Sequence, residues 1–455
     1  MIRQVRPRAF ALAALLIWAP LPFASVAPGA STLLLVAALL ALLFALWTPE
    51  ETPLPRDLAL TAAALAGVAL LGWLQSLPAP PAVASLLAPE SRRLETQAAG
   101  LSPNTGEPAA PISLSVAPQA SRSAALDWLI PAAAFLAAAR LGASRRVRWT
   151  LAGGLLLSAT VQVVLSVVQW VSRSRTLWGV TLLGAGNRLR GSFVNPNHLA
   201  LFLEMALAVT VAWSWWAARR AFAESGRAEE RLLRIGPPAL ALLVLLAGLV
   251  LTGSRAGLLA AFVAMTVQGM VIGSRRGRRW LLVGGLAAGL VAAAGLLALG
   301  AEGTFTRLAS SSLDEVGGGY RYEASRATLD LFRRFPVVGS GLGTFQAAFP
   351  LVQPPSIPGF WRHAHSDAFE FLATTGLLGA ALLAGALYFY GRRLREVIRF
   401  GERSEGRAAG LAALGALVAV AVHSFADFGM TMPANAFALA VIAGAAAATR
   451  IQKPA

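Results

Sequence analysis

The chain has 455 residues, of which 56% are hydrophobic and 13% charged, and its mean hydropathy is +0.62. Soluble domains carry about 25% charged residues, so this composition excludes a soluble globular protein and favours one embedded in a membrane. The net charge of +17 comes almost entirely from arginine, and the absence of cysteine excludes disulfides, a thiolate nucleophile and a cysteine metal site.

Apolar runs recur along nearly the whole chain, and runs of roughly 20 apolar residues with few charges are typical of membrane helices. We predict an all-α polytopic membrane protein of about twelve spans, forming a single integral membrane domain over 1–455. The first run ends at "VAPGA" and would also suit a signal peptide, although a second span follows at once. The predicted spans lie near 9–27, 31–47, 58–77, 124–141, 149–171, 197–217, 237–252, 256–273, 281–300, 366–390, 409–428 and 433–449.

Blocks of arginine between the spans predict the orientation. With the N-terminus in the cytoplasm, most of the 39 arginine and lysine residues fall in cytoplasmic loops and the tail, as the positive-inside rule requires. An even number of spans then places both termini in the cytoplasm. Arginines spaced in this way between apolar runs set membrane topology, which argues against nucleic-acid binding.

The opposite, outer face would carry the long loops. A large loop at 301–365 separates the ninth and tenth spans, and within it Ala324, Ala327, Leu331 and Phe335 recur at helical spacing. That spacing predicts an amphipathic helix at the membrane surface, ending at Pro336. The other outer segments are predicted at 78–123, 172–196, 253–255 and 429–432.

The segment "GSGLGTF" at 339–345 superficially resembles a glycine-rich phosphate loop. It follows a helix rather than a strand and lacks the Gly-Lys-Ser/Thr ending, which excludes nucleotide binding there. Its glycines instead predict a tight turn back toward the outer site.

Scarce titratable residues gather on the same outer face. "HAHSD" (363–367) stands where the largest loop enters the tenth span. The other polar stretches of this face are "RLRGSFVNPNH" (188–198), "LTGSRAG" (251–257), "GGGYRYEASR" (317–326) and "HSFADFGM" (423–430).

Arg255 and Arg321 are the most informative cations. Arg255 lies between two spans joined by almost no loop, and an ionisable group at that depth is expensive enough to indicate function. Arginine binds phosphate through paired donors, so two arginines near a titratable group predict a phosphate-bearing substrate. The structural alternatives are snorkelling to lipid phosphate at Arg255 and a solvated loop charge at Arg321.

His363 and His365 admit three interpretations. Their spacing would suit two zinc ligands, but a catalytic zinc needs a third protein ligand. Neutral imidazole near pH 7 could instead act as a general base, or either histidine could cap a helix. The candidates for a third zinc ligand, which no motif joins, are Asp367, Asp427, His198 and His423.

Together these residues resemble the bacterial O-antigen ligase and polymerase superfamily, which includes some protein O-oligosaccharyltransferases. The ligase signature is His, then Asn, Ser or Gln, nine residues, Gly, two residues and Gly. Here it reads His365, Ser366, Gly376 and Gly379. "GSFVNPNHLA" resembles the family's Asn-Pro-Asn segment, "TGSRAG" its Ser-Arg turn, and "PVVGSGLGTF" the end of its arginine-led stretch. "LGWLQSLPAPPAVASLLAPE" and "VHSFADFGMTMPA" also match, so the resemblance extends over roughly 65–445.

The resemblance implies a glycosyltransferase of the bacterial inner membrane with a periplasmic active site and neither metal nor cofactor. The donor would be a glycan on undecaprenyl pyrophosphate and the acceptor a hydroxyl of the lipid A core, with inversion at the anomeric carbon. His365 would be the general base, and Arg255 and Arg321 would stabilise the leaving pyrophosphate across a gap that holds the sugar. The predicted substrate-binding residues are Arg190, Asn195, Asn197, His198, His363, Asp367 and Asp427.

Other functions share parts of this pattern. A polymerase of the same superfamily would use the same donor with a growing glycan as acceptor, and protein O-glycosylation would use a protein hydroxyl. From other classes, a transporter would show ionisable residues near span centres, discontinuous helices and paired halves. A non-catalytic scaffold would hold anionic polysaccharide on its outer loops. Glu204 and Glu370 are the main acidic residues inside predicted spans, each near an outer end.

Overall fold

A computed structural model of the protein describes residues 2–47, 54–101, 112–174, 176–181, 188–224, 227–273 and 320–452. This part of the chain is helical apart from its turns and one small hairpin, in which β1 (Thr176–Leu177) pairs antiparallel with β2 (Val180–Thr181). The helices are α1 Ile2–Trp18, α2 Pro28–Leu46, α3 Arg56–Gln75, α4 Pro81–Leu87, α5 Pro89–Leu101, α6 Pro118–Leu141, α7 Arg145–Val171, α8 Pro196–Ala223, α9 Ala228–Leu251, α10 Arg255–Gly273, α11 Tyr320–Arg334, α12 Phe345–Ala348, α13 Asp367–Phe400, α14 Ser404–His423 and α15 Pro433–Ala447.

Among the described residues, nine of these helices are long and apolar enough to cross a membrane, and α15 and the Pro7–Trp18 part of α1 are shorter apolar helices. Each predicted span apart from 281–300 coincides with one of them, which confirms the all-α polytopic fold. Residues 281–300 and the first part of the 301–365 loop lie outside the described residues. The number of spans and their orientation therefore stay predictions.

The helix boundaries differ from the predicted ones where hydropathy alone was the guide. The first span was predicted to reach residue 27, but α1 ends at Trp18 because Pro20 and Pro22 cannot donate backbone hydrogen bonds. The predicted loop 78–123 contains α4 and α5, and α6 begins at Pro118 rather than at 124. At the opposite end of the bundle, α13 continues to Phe400.

The membrane helices pack through small residues. Helix α6 lies against α15, and a Cβ on Gly444 would stand 2.3 Å from the Phe135 carbonyl oxygen. The same holds where α8 meets α10, since a Cβ on Gly257 would stand 2.9 Å from that of Ala200. Close backbone approach of this kind is how membrane helices associate without a hydrophobic driving force between them.

Helix α13 is interrupted at Gly376, whose φ of 64° and ψ of −164° are not helical. The interruption leaves the carbonyls of residues 373 and 374 and the amides of residues 377 and 378 without their helical partners. Residues 336–341 satisfy all of them, through hydrogen bonds of 3.0 Å from the Ser340 amide to Ala373 O and from the Gly341 amide to Thr374 O, and of 2.9 and 3.1 Å back to Pro336 O and Val337 O.

The glycines of "GSGLGTF" make this pairing possible. Gly339 has a φ of 77°, and a Cβ there would stand 2.2 Å from the Thr374 carbonyl carbon. The segment is therefore a turn that returns to the start of α13, as predicted. Gln75 at the end of α3 fastens it, since its Nε2 donates to Val338 O at 2.5 Å and its Oε1 accepts from the Leu342 amide at 2.9 Å.

The predicted surface helix is present as α11, and its predicted apolar residues Ala324, Ala327, Leu331 and Phe335 are all buried. They pack against a second core formed by α12, the loop before α13 and Ala373. Protein rather than lipid covers this face, which corrects the prediction of a helix lying on the membrane. Helix α11 is thereby held beside the start of α13.

Candidate active site

The candidate site lies at one end of the bundle, where α8 and α13 begin and α14 ends. All four histidines of the chain are here, at His198, His363, His365 and His423. Three rings surround Phe428, with centroids 4.3 Å away for His363, 4.6 Å for His198 and 4.9 Å for His365. The predicted gathering of distant polar stretches on one face is thus observed for these residues.

His365 has a left-handed backbone conformation with a φ of 54°, which costs a non-glycine residue roughly 1–2 kcal/mol. Its neighbours hold it there. The Ala364 amide donates to Glu370 Oε2 at 2.8 Å, and Ser366, whose hydroxyl caps α13, donates to Ser424 O at 3.0 Å. Strained backbone conformations of this kind are concentrated at functional sites.

The His365 imidazole faces Asp427, with 3.6 Å between Nδ1 and Oδ1. This separation is longer than a hydrogen bond, and catalytic hydrogen bonds are often long in the absence of substrate. The His365 side chain is 22% exposed, whereas that of Asp427 is fully buried. A buried carboxylate behind a partly exposed imidazole is the arrangement that orients a histidine and stabilises its protonated form.

Asp427 stays ionised in this site. Burial would raise its pKa, but the adjacent His365 imidazole, the charge of His198 and the Asn197 amide outweigh burial and lower the pKa well below its usual range. The charge of Arg321 acts in the same direction. Asn197 Nδ2 donates to Asp427 Oδ2 at 2.5 Å, and the Phe428 amide donates to Oδ1 at 2.9 Å.

The "NPN" segment explains how Asn197 reaches Asp427. Asn195 caps α8 by accepting from the Asn197 amide at 2.9 Å, and Pro196 occupies the first turn, where its missing N–H costs nothing. Asn197 then lies between two partners, because its Oδ1 accepts from Arg188 at 2.7 Å. Arg188 also donates to Thr252 O at 2.6 Å.

This chain of contacts places Arg255 at the same end of the bundle as His365. His365 faces Asp427, Asp427 is bonded to Asn197, and Arg188 links Asn197 to Thr252, three residues before Arg255. Arg255 begins α10 and is half-buried.

Arg321 and Arg190 lie at this end as well. Arg321 is exposed in the first turn of α11, close enough to Asp427 for its charge to act there. Helix α11 is tied to the His365 loop by a 3.3 Å hydrogen bond from the Ser325 hydroxyl to Ala364 O. Arg190 is 7% exposed, and burial lowers its pKa.

His363 is paired with Glu370, with 3.0 Å between Nδ1 and Oε1, and it stacks on Phe428. Burial would lower the pKa of His363, but the hydrogen bond and charge of Glu370, with two further carboxylates nearby, outweigh burial and raise it. Since Glu370 also binds the Ala364 amide, His363 supports the loop that carries His365.

Asp367 is engaged with the turn that carries Asp427. Its Oδ2 accepts from the Met430 amide at 2.9 Å and from the Ser424 hydroxyl at 3.2 Å, while its own amide donates to Asp427 O at 3.0 Å. His198, the remaining predicted binding residue, is buried with its ring edge on Phe428. Among the described residues, no three histidine, aspartate or glutamate side chains form a group that could hold a metal ion.

Sequence reasoning missed Arg188 and the pairing of Glu204 with His423. His423 Nδ1 lies 2.8 Å from Glu204 Oε1, and both side chains are fully buried. The pair joins α8 to the end of α14, four residues before Asp427. A carboxylate inside an apolar run needs a partner. The position of Glu204 in such a run could therefore have indicated a pairing with His423, for which the sequence suggested only a role as a zinc ligand.

Residues 240–384 match the model of a protein family described as O-antigen ligase. This match supports membership of the O-antigen ligase superfamily. No curated protein matches the chain. The matched region contains Arg255, Arg321 and His365. The match supports a function broadly of the O-antigen ligase and polymerase type, and it confirms the resemblance seen in the sequence over the matched residues.

Proposed function

We propose that the protein is a glycosyltransferase that moves a glycan from undecaprenyl pyrophosphate to an acceptor hydroxyl at the periplasmic face of the bacterial inner membrane. The observation that carries the proposal is that a strained, partly exposed His365 faces the buried carboxylate of Asp427. A histidine paired with a carboxylate does not act as an acyl or phosphate nucleophile here. It acts as a base for an incoming hydroxyl.

In this mechanism the acceptor oxygen attacks the anomeric carbon while His365 Nε2 takes the hydroxyl proton. Asp427 faces Nδ1, so it favours the tautomer with the proton on Nδ1 and stabilises the imidazolium that forms. The bond between the anomeric carbon and the phosphate oxygen breaks on the opposite face of the sugar. The leaving group is undecaprenyl pyrophosphate with its added negative charge.

Arg255 and Arg321 would stabilise the negative charge of the leaving group, and Arg190 would be a further cation near it. Guanidinium donors in fixed positions stabilise developing negative charge without reorganising, and their planar forks match pairs of phosphate oxygens. The contact chain from His365 to Thr252 supports a common site at one end of the bundle. Since the donor already contains its pyrophosphate linkage, the transfer needs no nucleotide. As the family resemblance implies, we expect it to need no metal or cofactor either.

The interruption in α13 is a feature that a transporter would also show. In transporters the unwound backbone lines a cavity and coordinates substrate or ion. Here the backbone groups freed at Gly376 are hydrogen-bonded to residues 336–341. The interruption in α13 therefore holds residues 336–341 next to the site. It does not support a transporter function.

The acceptor separates a ligase from a polymerase, and the two share the donor and the site. We propose a ligase acting on the lipid A core. A deletion strain complemented with the wild-type protein or with His365→Asn tests both the reaction and its acceptor. Loss of a ligase leaves the lipid core bare, loss of a polymerase leaves single repeat units on it, and loss of an exopolysaccharide polymerase changes secreted glycan alone. Full complementation by both His365→Asn and His363→Gln would instead support a scaffold.

A further inference from the structure

Arginine and tryptophan residues gather at the end of the bundle opposite the candidate active site. Helix α8 runs from His198 at the site to Arg219 and Arg220 at the other end, and α14 runs from Arg407 to His423 at the site. Helix α7 begins at this opposite end with Arg145. The glycan-transfer proposal makes no use of this region.

The guanidinium groups at this end lie over two adjacent indole rings on α8. Each ring is contacted by one arginine from α8 and one from a neighbouring helix, which ties three helices together. Arginine over an aromatic face is attractive and is stronger where water is partly excluded. The four arginine–ring pairs, at 5.3–5.8 Å from the ring centroids, are Arg145 and Arg220 with Trp216, and Arg219 and Arg407 with Trp215. We call these six residues the arginine–tryptophan patch.

Two arginines of the patch carry positive charge that no described acidic side chain neutralises. Arg145 and Arg219 are exposed, and within the described ranges neither contacts an acidic side chain. Arg220 is bonded to Glu224 at 2.9 Å, but that carboxylate also binds Arg234. At Arg145 and Arg219 the indole face occupies one side of the guanidinium and leaves its N–H edge available to an anion.

An apolar cavity of about 80 Å³ adjoins the patch, between α1, α7, α8, α14 and α15. Trp149 lines it and packs against Trp216 with ring centroids 4.8 Å apart. The polar groups at its edge are satisfied, since Arg148 and Glu405 form a pair with 2.7 Å between Nη2 and Oε2 and are largely buried. A cavity lined in this way excludes water and accepts an apolar group.

We propose that the arginine–tryptophan patch binds the headgroup phosphate of an anionic phospholipid from the surrounding leaflet, with the start of one acyl chain in the adjoining cavity. The charge favours a phosphodiester, and the cavity favours a ligand with an apolar chain over a free anion. Indole rings prefer this depth of the bilayer, and basic pockets between membrane helices bind anionic headgroups. The site is independent of glycan transfer.

The test uses the purified full-length protein in detergent, with native mass spectrometry and thermal unfolding as readouts. Dioleoyl phosphatidylglycerol should stay bound and raise the unfolding temperature. Dioleoyl phosphatidylcholine and inorganic phosphate should do neither. Equal retention of the two lipids would overturn the proposal, and equal stabilisation by inorganic phosphate would indicate a free-anion site instead.

Arg145→Gln/Arg219→Gln should weaken phosphatidylglycerol binding about 30-fold, since a surface arginine contributes about 1 kcal/mol to binding an anionic membrane. The matched control is Arg227→Gln/Arg231→Gln, which removes two exposed arginines from the same end but outside the patch. The control should change binding less than about 3-fold. Equal losses in the two double variants would mean general charge attraction rather than a site.

The acyl-chain part is tested separately with Ala409→Leu, which narrows the cavity and leaves the arginines in place. Wild-type protein should prefer dioleoyl over dihexanoyl phosphatidylglycerol, and this variant should reduce the preference. An unchanged preference would remove the cavity from the proposal.

Discussion

The two ends of the bundle hold their charged groups in opposite ways. At the site end, His365, His363 and Glu204 are each paired with a carboxylate or an imidazole, and most of the polar atoms are buried. At the other end, Arg145 and Arg219 lie exposed over indole rings. Burial with specific partners fixes protonation and direction, whereas exposed charge over aromatic faces favours a mobile anion. The pairing of the charges, more than their number, distinguishes a candidate catalytic site from a lipid-facing surface.

The largest effect is expected from His365→Asn. Asparagine tolerates the left-handed backbone that His365 adopts, so this variant removes the base and keeps the loop. Transfer from a lipid-pyrophosphate donor in vitro should fall about 10³-fold, the range of general base catalysis, with donor binding largely kept. Arg227→Gln, at the other end, is the control and should keep wild-type turnover.

Asp427→Asn sharpens the same assignment. It keeps an acceptor for the Phe428 amide but removes the charge that faces His365.

Two outcomes would contradict the assignment of His365 as the base. If His365→Asn were active and His363→Gln inactive, the base would be His363. If both variants were active, the general-base mechanism would be wrong.

The next largest effect is expected at the arginines. Arg321→Lys should lower turnover about 10²-fold, because a point charge cannot reproduce a paired grip on pyrophosphate oxygens, and Arg255→Lys should behave alike. Arg362→Lys is the matched control, an exposed arginine of the His365 loop. Steady-state kinetics of the transfer would measure all three. A loss at Arg362 equal to that at Arg321 would contradict specific phosphate contact.

A smaller, pH-dependent effect on stability is expected at His363. Its pKa is raised in the folded protein, so the folded state holds the proton more tightly than the unfolded chain. The resulting stabilisation is fully present below the ordinary pKa of about 6.5 and is lost as the pH rises through the raised value. His363→Gln should therefore lower the unfolding temperature by about 2 °C more at pH 5.5 than at pH 9.

Thermal unfolding in detergent at the two pH values checks this expectation. Glu370→Gln removes the partner and should reproduce the pattern. If the unfolding temperature of both variants fell equally at the two pH values, the His363–Glu370 pair would contribute to stability through packing alone.

The smallest effect is expected from chelation. With His363 engaged by Glu370 and His423 by Glu204, we expect EDTA to leave transfer unchanged within about 2-fold, a change worth well under 1 kcal/mol. Turnover assays before and after EDTA, with single divalent ions added back, would measure this. A reproducible loss that one ion restores would require a metal-dependent mechanism.

The sequence by itself determined the membrane helices, because runs of apolar residues have few alternatives in a bilayer. It also determined the apolar face of α11 and the turn at "GSGLGTF", since residues 324–335 have a helical period and glycine admits conformations closed to other residues. The superfamily could be predicted from short motifs around His365 and Arg255. These features depend on near neighbours in the chain or on single residue types.

Only the tertiary structure decided which side chains meet. The contacts of Asp427 with Asn197 and of Glu204 with His423 join residues more than two hundred positions apart, and no local period encodes such a pairing. The four freed groups of α13 find their partners in residues 336–341, and Arg188 joins α8 to the turn before Arg255. Buried polar groups must be paired, but which pairs form depends on how the helices pack.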